Sequence, residues 1–408
     1  MSGKPHRSGA CAIVVLLCLV LPATAAANTY EPTRKDDPVP NGCKPNNCSL
    51  REAISAANKD TDRDKVLLAK GRYLMQLPDD GNDDNENGDF DVLNDTVIAG
   101  KGPKKTTVDG QGIHGVFQFL TFDTRTIKNL TIQNGAASFG GGGIFIGPSD
   151  ATVRNVAIRL SQTPSAGGGI IWFSPDLELD RVTLRGNLAG TKGGGIHLGV
   201  SISDSAVSIR NSTISGNVAE DGAGMAADET DTFGTQNQLA FDVKNSTIDG
   251  NQATDDGGGA LAMAGATLAL DNATVAHNKA ETDGSGAGAG GGVSQQSAAT
   301  FAVDDSIVAA NTLGTTGTAP QCSGAFAGAG NLLSNPPGCS SFNTGSVLAA
   351  DPKIGLLAAN GGPTETVKLL TGSPAIGFAF TCPRRDQRGE RRPGNCDSGA
   401  FENKPLRR

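Results

Sequence analysis

The chain has 408 residues, 56 of them glycine, with aromatic residues at 4% and a formal net charge of -8. Glycine at this frequency without a collagen period excludes a triple helix, and so few aromatics exclude an ordinary globular core. The acidic balance excludes nucleic acid as the expected partner, because phosphate binding needs a basic surface.

Residues 1–27 read as a signal peptide and stand apart from the fold. Lys4, His6 and Arg7 give a cationic start, and Ala10 to Leu21 an apolar run. That run is shorter than the ~20 residues of a membrane-spanning helix. Ala25-Ala26-Ala27 supplies the small-residue cleavage pattern before Asn28. Cys18 follows Val15-Leu16-Leu17, which lacks the small residue of a lipoprotein signal, so a lipid anchor is the weaker reading. No later stretch is apolar enough to span a bilayer. The expectation is a secreted or otherwise extracytoplasmic protein (extracellular, cell-surface or periplasmic) with no transmembrane segment in the mature chain.

Residues 28–95 form the expected N-terminal cap. Ser49-Leu50-Arg51-Glu52 is a capping box that opens a short helix through Asn58. Leu50, Ala53, Ile54 and Ala57 share one face of it, suited to plugging the end of a solenoid. The acidic run from Asp83 to Asp91 follows. Asp83, Asn85, Asn87 and Gly88 match the start of a calcium loop, with Asp89 and Asp91 at later ligand positions. Alternate oxygen-bearing side chains can face one hard cation while glycine permits the turn. A calcium ion here stands beside the plainer alternative of a solvated acidic loop.

Residues 96–315 carry a repeat. Glycine blocks followed by an apolar residue recur at Gly141–Ile144, Gly167–Ile170, Gly193–Ile196, Gly222–Met225, Gly257–Ala260 and Gly290–Val293. Between them lies a second motif, beginning at Asn129, Asn155, Arg181, Asn211, Asn245, Asn272 and Asp305. This period signals a solenoid whose units pack only on their neighbours. Segments such as Leu177-Glu-Leu-Asp180 alternate and are too short for helices, so they read as strands. The fold class is therefore all-β: a right-handed parallel β-helix with a helical N-terminal cap and a disulfide-bearing C-terminal cap at 316–408. Asn217, Asn251, Asn278 and Asn311 recur at one corner and read as a structural amide ladder rather than a ligand row.

Of the eight cysteines, Cys11 and Cys18 leave with the leader. The remaining ones fall in local pairs, Cys43 with Cys48, Cys322 with Cys339, and Cys382 with Cys396, the expected disulfides in an oxidising compartment. Zinc ligation is discounted, since no histidine sits beside them at zinc spacing.

Two further constellations carry chemistry. Lys128, Arg154 and Arg210 share one row of the repeat, and Arg159, Arg181 and Arg185 lie just beyond, so stacking would give an acidic protein one cationic, glycan-binding strip. Its ligand class would be an acidic polysaccharide or cell-surface component; the plain alternative is a solvated face paired by Asp180, Asp271 and Asp304. The other is His197 with Asp228, an acid–base pair in adjacent coils beside Phe145, Ile171 and Phe173.

Cys48-Ser-Leu-Arg-Glu-Ala-Ile54 resembles the cysteine-initiated (CSLREA) N-terminal module of exported bacterial β-helix proteins. Gly88-Asp-Phe-Asp91 and Thr107-Val-Asp-Gly110 extend the likeness. Asn360-Gly-Gly-Pro-Thr364, Gly372-Ser-Pro-Ala-Ile376, Asp386-Gln-Arg-Gly389 and Cys396–Glu402 resemble the choice-of-anchor Q domain. Gly377 departs from it, standing where that domain has aspartate, and Lys404–Arg408 shows no hydrophobic sorting tail. The resemblance implies export and a pectin lyase-like β-helix, a superfamily that includes polysaccharide-cleaving enzymes. The expected function is a non-catalytic surface, adhesion or glycan-binding role; the alternative is a lyase or hydrolase acting on an acidic glycan. One Trp and two Tyr are few for stacking sugars, and no nucleophile elbow, phosphate loop or histidine metal set is present.

Overall fold

The computed structural model describes residues 27–403 except 60, 82–83, 174–175, 200–204, 229–238, 264, 285–287, 297, 315–319, 335–344, 346 and 350. The leader through Ala26, together with Asp83 and Cys339, lies outside the described residues.

Short strands wind into a right-handed parallel β-helix. One turn of it shows the pattern: Ile170–Trp172, then Asp176–Asp180, Thr183–Arg185 and Leu188–Ala189. Like strands of successive turns stack in parallel. Ile170 pairs with Ile144 on one side and Ile196 on the other, and Leu179 pairs with Val153 and Ile209. Among the described residues the first strands build a nine-stranded sheet and the last a six-stranded one. The second and third legs join into one long sheet, because Thr124–Gln133 and Asp150–Arg159 run unbroken through their shared corner.

The repeated asparagine motif marks that corner. Asn129, Asn155, Arg181, Asn211, Asn245, Asn272 and Asp305 all have φ between 45 and 59°. This left-handed region penalises most side chains, and Asn and Asp tolerate it best. The motif is therefore conformational.

The glycine blocks answer two different demands. Gly193 sits at φ +64, and a Cβ there would lie 2.3 Å from the Ile196 carbonyl oxygen. Gly195 has ordinary φ, but a Cβ would lie 2.5 Å from the Gly224 oxygen of the next turn. The first glycine makes the turn and the third lets turns stack.

Buried amides hold another corner. Asn217 donates its backbone N–H and Nδ2 to Asn251 Oδ1 at 3.0 and 2.9 Å, and Asn251 repeats this onto Asn278 and Asn278 onto Asn311. The ladder also includes Asn187 before Asn217 and Gln321 after Asn311. Each member satisfies turning backbone that water cannot reach.

Inward rows fill the core. Down one register Trp172 gives way to Leu198 and Ala227. Phe241, also buried in the core, meets Trp172 edge to face at 6.2 Å between centroids.

Both caps are built as separate devices. Helix Leu50–Ala57 starts at Ser49 with both halves of the capping box formed. Its Leu50, Ala53, Ile54 and Ala57 are buried in the main core. At the other end the hairpin Ile354–Ala358 and Thr366–Leu369 is antiparallel. From the loop of this hairpin onward the chain lies along the flank of the solenoid, so the expected C-terminal cap packs on a side, in an apolar cluster separate from the main core. Thr364 Oγ1 donates to Asn211 O at 2.8 Å, and Gly399 N donates to Asp305 O at 2.7 Å. Disulfides join Cys43 to Cys48 and Cys382 to Cys396, and Cys322 is also disulfide-bonded.

Candidate functional site

The acidic loop is organised by a side chain the calcium pattern does not contain. Arg51, on the capping helix and fully buried, donates to the carbonyl oxygens of Asn87 and Asp89 at 2.9 Å and Gly88 at 2.7 Å. Its guanidinium is the cation on which that backbone converges. The side chains turn to different partners. Asn85 N donates to Asp91 Oδ2 at 2.9 Å, Asp91 N donates to Asn85 Oδ1 at 3.1 Å, and Asn85 Nδ2 reaches Arg51 O and Ser55 Oγ. Asn87 Oδ1 accepts from Asp80 N, and Asp89 lies 3.3 Å from His114. Among the described residues no group of three or more His, Cys, Asp or Glu is arranged to hold a metal.

The six basic residues of the strip divide between two legs of the helix. Lys128, Arg154, Asp180, Arg210 and Lys244 stack in one register row. Arg154 pairs with Glu178 at 3.0 Å and Asp180 at 3.4 Å, so two carboxylates of the neighbouring turn answer its charge. Arg181 occupies the left-handed corner position and pairs with Asp180 at 2.7 Å. Across the corner, Arg159 donates to Gln133 Oε1, and Arg185 pairs with Glu365 at 2.6 Å.

A cleft of about 610 Å³ opens where this corner meets the returning C-terminal segment. Asp180, Arg181 and Asn245 line it from the solenoid, and Arg384, Arg385 and Arg388 from the segment. Gln387 fixes the segment in place. Its Nε2 donates to Ser212 O at 3.0 Å, and its Oε1 accepts from Thr247 Oγ1 at 2.6 Å. Arg388 is held by Asp386 at 2.7 Å and stacks 3.6 Å over the Phe401 ring. Arg384 and Arg385 are exposed and make no ion pair among the described residues. Sequence reasoning missed this arginine pair; its signal was a basic doublet enclosed between Cys382 and Cys396.

His197 and Asp228 do come together, with a partner the sequence did not suggest. His197 Nε2 lies 3.3 Å from Asp228 Oδ2, and Lys192 Nζ lies 2.8 Å from the same oxygen. Burial pushes the Asp228 carboxyl up, but the hydrogen bond and charge of His197, then those of Lys192, outweigh it and bring its pKa to about 2. Both His197 and Asp228 are buried, so the cluster ties adjacent turns together more readily than it meets a polymer. Phe145 and Phe173 pack near it with ring centroids 5.8 Å apart.

Comparison with known proteins bears on the fold. The family described as "Right handed beta helix region" matches residues 104–349. No curated protein matches the sequence. Among solved structures, the crystal structure of pectate lyase Pel9A is similar with a TM-score of 0.54 at 13% identity, covering 93% of this chain and 97% of that one. The PL6 family alginate lyase AlyGC gives a TM-score of 0.30 at 10% identity, covering 89% and 58%. At such identities the pectate lyase likeness shows the shared fold alone.

Proposed function

The chain belongs to the right-handed β-helix family, and from that premise we propose that it is a non-catalytic extracytoplasmic protein that binds an acidic polysaccharide. The observation that carries this reading is the cleft in which Arg181 from the solenoid joins Arg384 and Arg385 from the C-terminal segment. Guanidinium groups present planar paired donors that match carboxylates, and a cleft holds them with less mobility than an open surface does. Arg210 adds positive charge along the axis, in the direction a polymer would follow, whereas Arg154 is already paired to Glu178 and Asp180. The disulfides agree with an oxidising compartment. No helix among the described residues is long and apolar enough to cross a membrane.

A lyase or hydrolase acting on an acidic glycan is the second reading, favoured by the Lys192–Asp228–His197 cluster beside Phe145 and Phe173. Fold likeness to a pectate lyase adds nothing to it, because one fold hosts many activities. Incubation with a panel of uronate polymers separates the two. Retention of the polymer without ultraviolet-absorbing unsaturated products, or new reducing ends, supports the binding role. Either product would install the enzyme, and failure to retain any uronate polymer would remove the binding role.

A further inference from the structure

Near the N-terminal cap, on the outer face of the nine-stranded sheet, a cavity of about 330 Å³ has the opposite electrostatic character from the arginine cleft. His114 stands at its wall between two carboxylates, with Nε2 3.3 Å from Asp79 and Nδ1 3.3 Å from Asp89. Phe145 and Phe139 form the apolar side. Phe139 is 85% exposed, in a turn kept open by Gly140 and Gly141, both at positive φ. A Phe left in water forfeits the burial that ordinarily stabilises it, and isolated aromatic rims beside convergent polar groups are how binding sites are built.

We propose that this cavity binds a sugar ring that carries no acid group, a neutral or amino sugar. The ring's C–H face would stack on Phe139 and Phe145, and its hydroxyl or ammonium donors would face Asp79 and Asp89. Ionised carboxylates only accept hydrogen bonds, so the oxygens that His114 leaves open select donors, and two carboxylates against one imidazole disfavour a uronate. The site uses none of the arginines of the cleft and stands or falls without them.

Calorimetric titration of the exported protein with glucosamine oligomers, with neutral glucose oligomers and with oligogalacturonate tests the proposal. At least one of the first two is expected to bind, and Phe139→Ala to weaken that binding about tenfold or more, an effect within the range of one lost aromatic contact. Phe139→Ala should leave the melting temperature and oligogalacturonate affinity unchanged, while the Arg384→Ser, Arg385→Ser double variant leaves the sugar arm unchanged. Asp79→Asn, also on the rim, provides a second variant expected to weaken binding. Glucosamine binding alone assigns the ammonium as the recognised group, and binding of both assigns the ring. If neither oligomer binds at millimolar concentration, or if Phe139→Ala binds as the unaltered protein does, the proposal is overturned.

Discussion

The Arg51 guanidinium and the Asp37 carboxylate meet through two parallel hydrogen bonds, 2.9 Å from Nε and 2.8 Å from Nη2, with both side chains out of water. The same guanidinium holds three successive carbonyls of the acidic loop, so one residue joins the N-terminal arm, the capping helix and the loop. Removing one partner of such a pair leaves the other charged, buried and uncompensated. Arg51→Met should therefore cost about 3–5 kcal/mol in urea unfolding. Adding Asp37→Leu should recover part of that by removing the orphaned charge. A loss below about 1 kcal/mol for Arg51→Met would contradict the role given to this pair.

Calcium is the rival organiser of residues 83–91. With Arg51 at the centre of the loop, millimolar calcium and excess chelator should leave the melting temperature unmoved. Bound calcium would instead raise stability by about 2.7 kcal/mol at a hundredfold excess over Kd. A calcium-dependent rise that disappears in Asp89→Ala would restore the ion to the loop.

The Asp228 pKa of about 2 gives a pH dependence of definite sign. A carboxyl depressed on folding contributes stability above its unfolded value of ~3.9 and loses it as pH falls through the folded value. The contribution is about 2 kcal/mol, present at neutral pH and lost between about pH 4 and 2. Asp228→Asn should flatten that part of the acid-unfolding curve. His114 runs the other way, because the hydrogen bond it donates to Asp89, opposed by burial and helped by the Asp89 and Asp79 charges, raises its pKa. Its contribution is full below its unfolded value of ~6.5 and disappears as pH rises through the folded one.

Asn251 sits mid-ladder, accepting from Asn217 and donating to Asn278 and to Ile214 O. Asn251→Ala strands the Asn217 donors on one side and leaves the Ile214 carbonyl without its donor on the other, each buried group costing about 1–3 kcal/mol. Because turns contact only their neighbours, hydrogen exchange should accelerate in the turns around residues 217–278 first. Uniform acceleration along the whole chain would contradict a nearest-neighbour solenoid.

The sequence disclosed what repeats and missed what is brought together from afar. Glycine blocks and corner asparagines recur because each turn meets the same backbone demand, so they were readable without coordinates. Asn187 belongs to that pattern too, preceded by Gly186 as Asn217 and Asn251 are by Gly216 and Gly250. Arg181 falls in the repeated motif by register as well as in the cationic strip by charge, and what the spacing does not disclose is that this position demands positive φ. The acidic run matches a metal loop by spacing, and no spacing reveals that Arg51 reaches the same loop from the capping helix. The arginine cleft was illegible for the same reason: Arg181 and Arg385 are distant in sequence and meet only because Gln387 docks the returning segment.

On the reading proposed above, polyanion binding resides where Arg181 joins Arg384 and Arg385. Titration calorimetry with polygalacturonate, on the unaltered protein and on the Arg384→Ser, Arg385→Ser double variant, measures it directly at low and physiological ionic strength. Binding should weaken as screening shortens to ~8 Å at physiological salt, and be lost in the double variant with the melting temperature unchanged. Equal affinity of the two proteins, or affinity indifferent to salt, would contradict it.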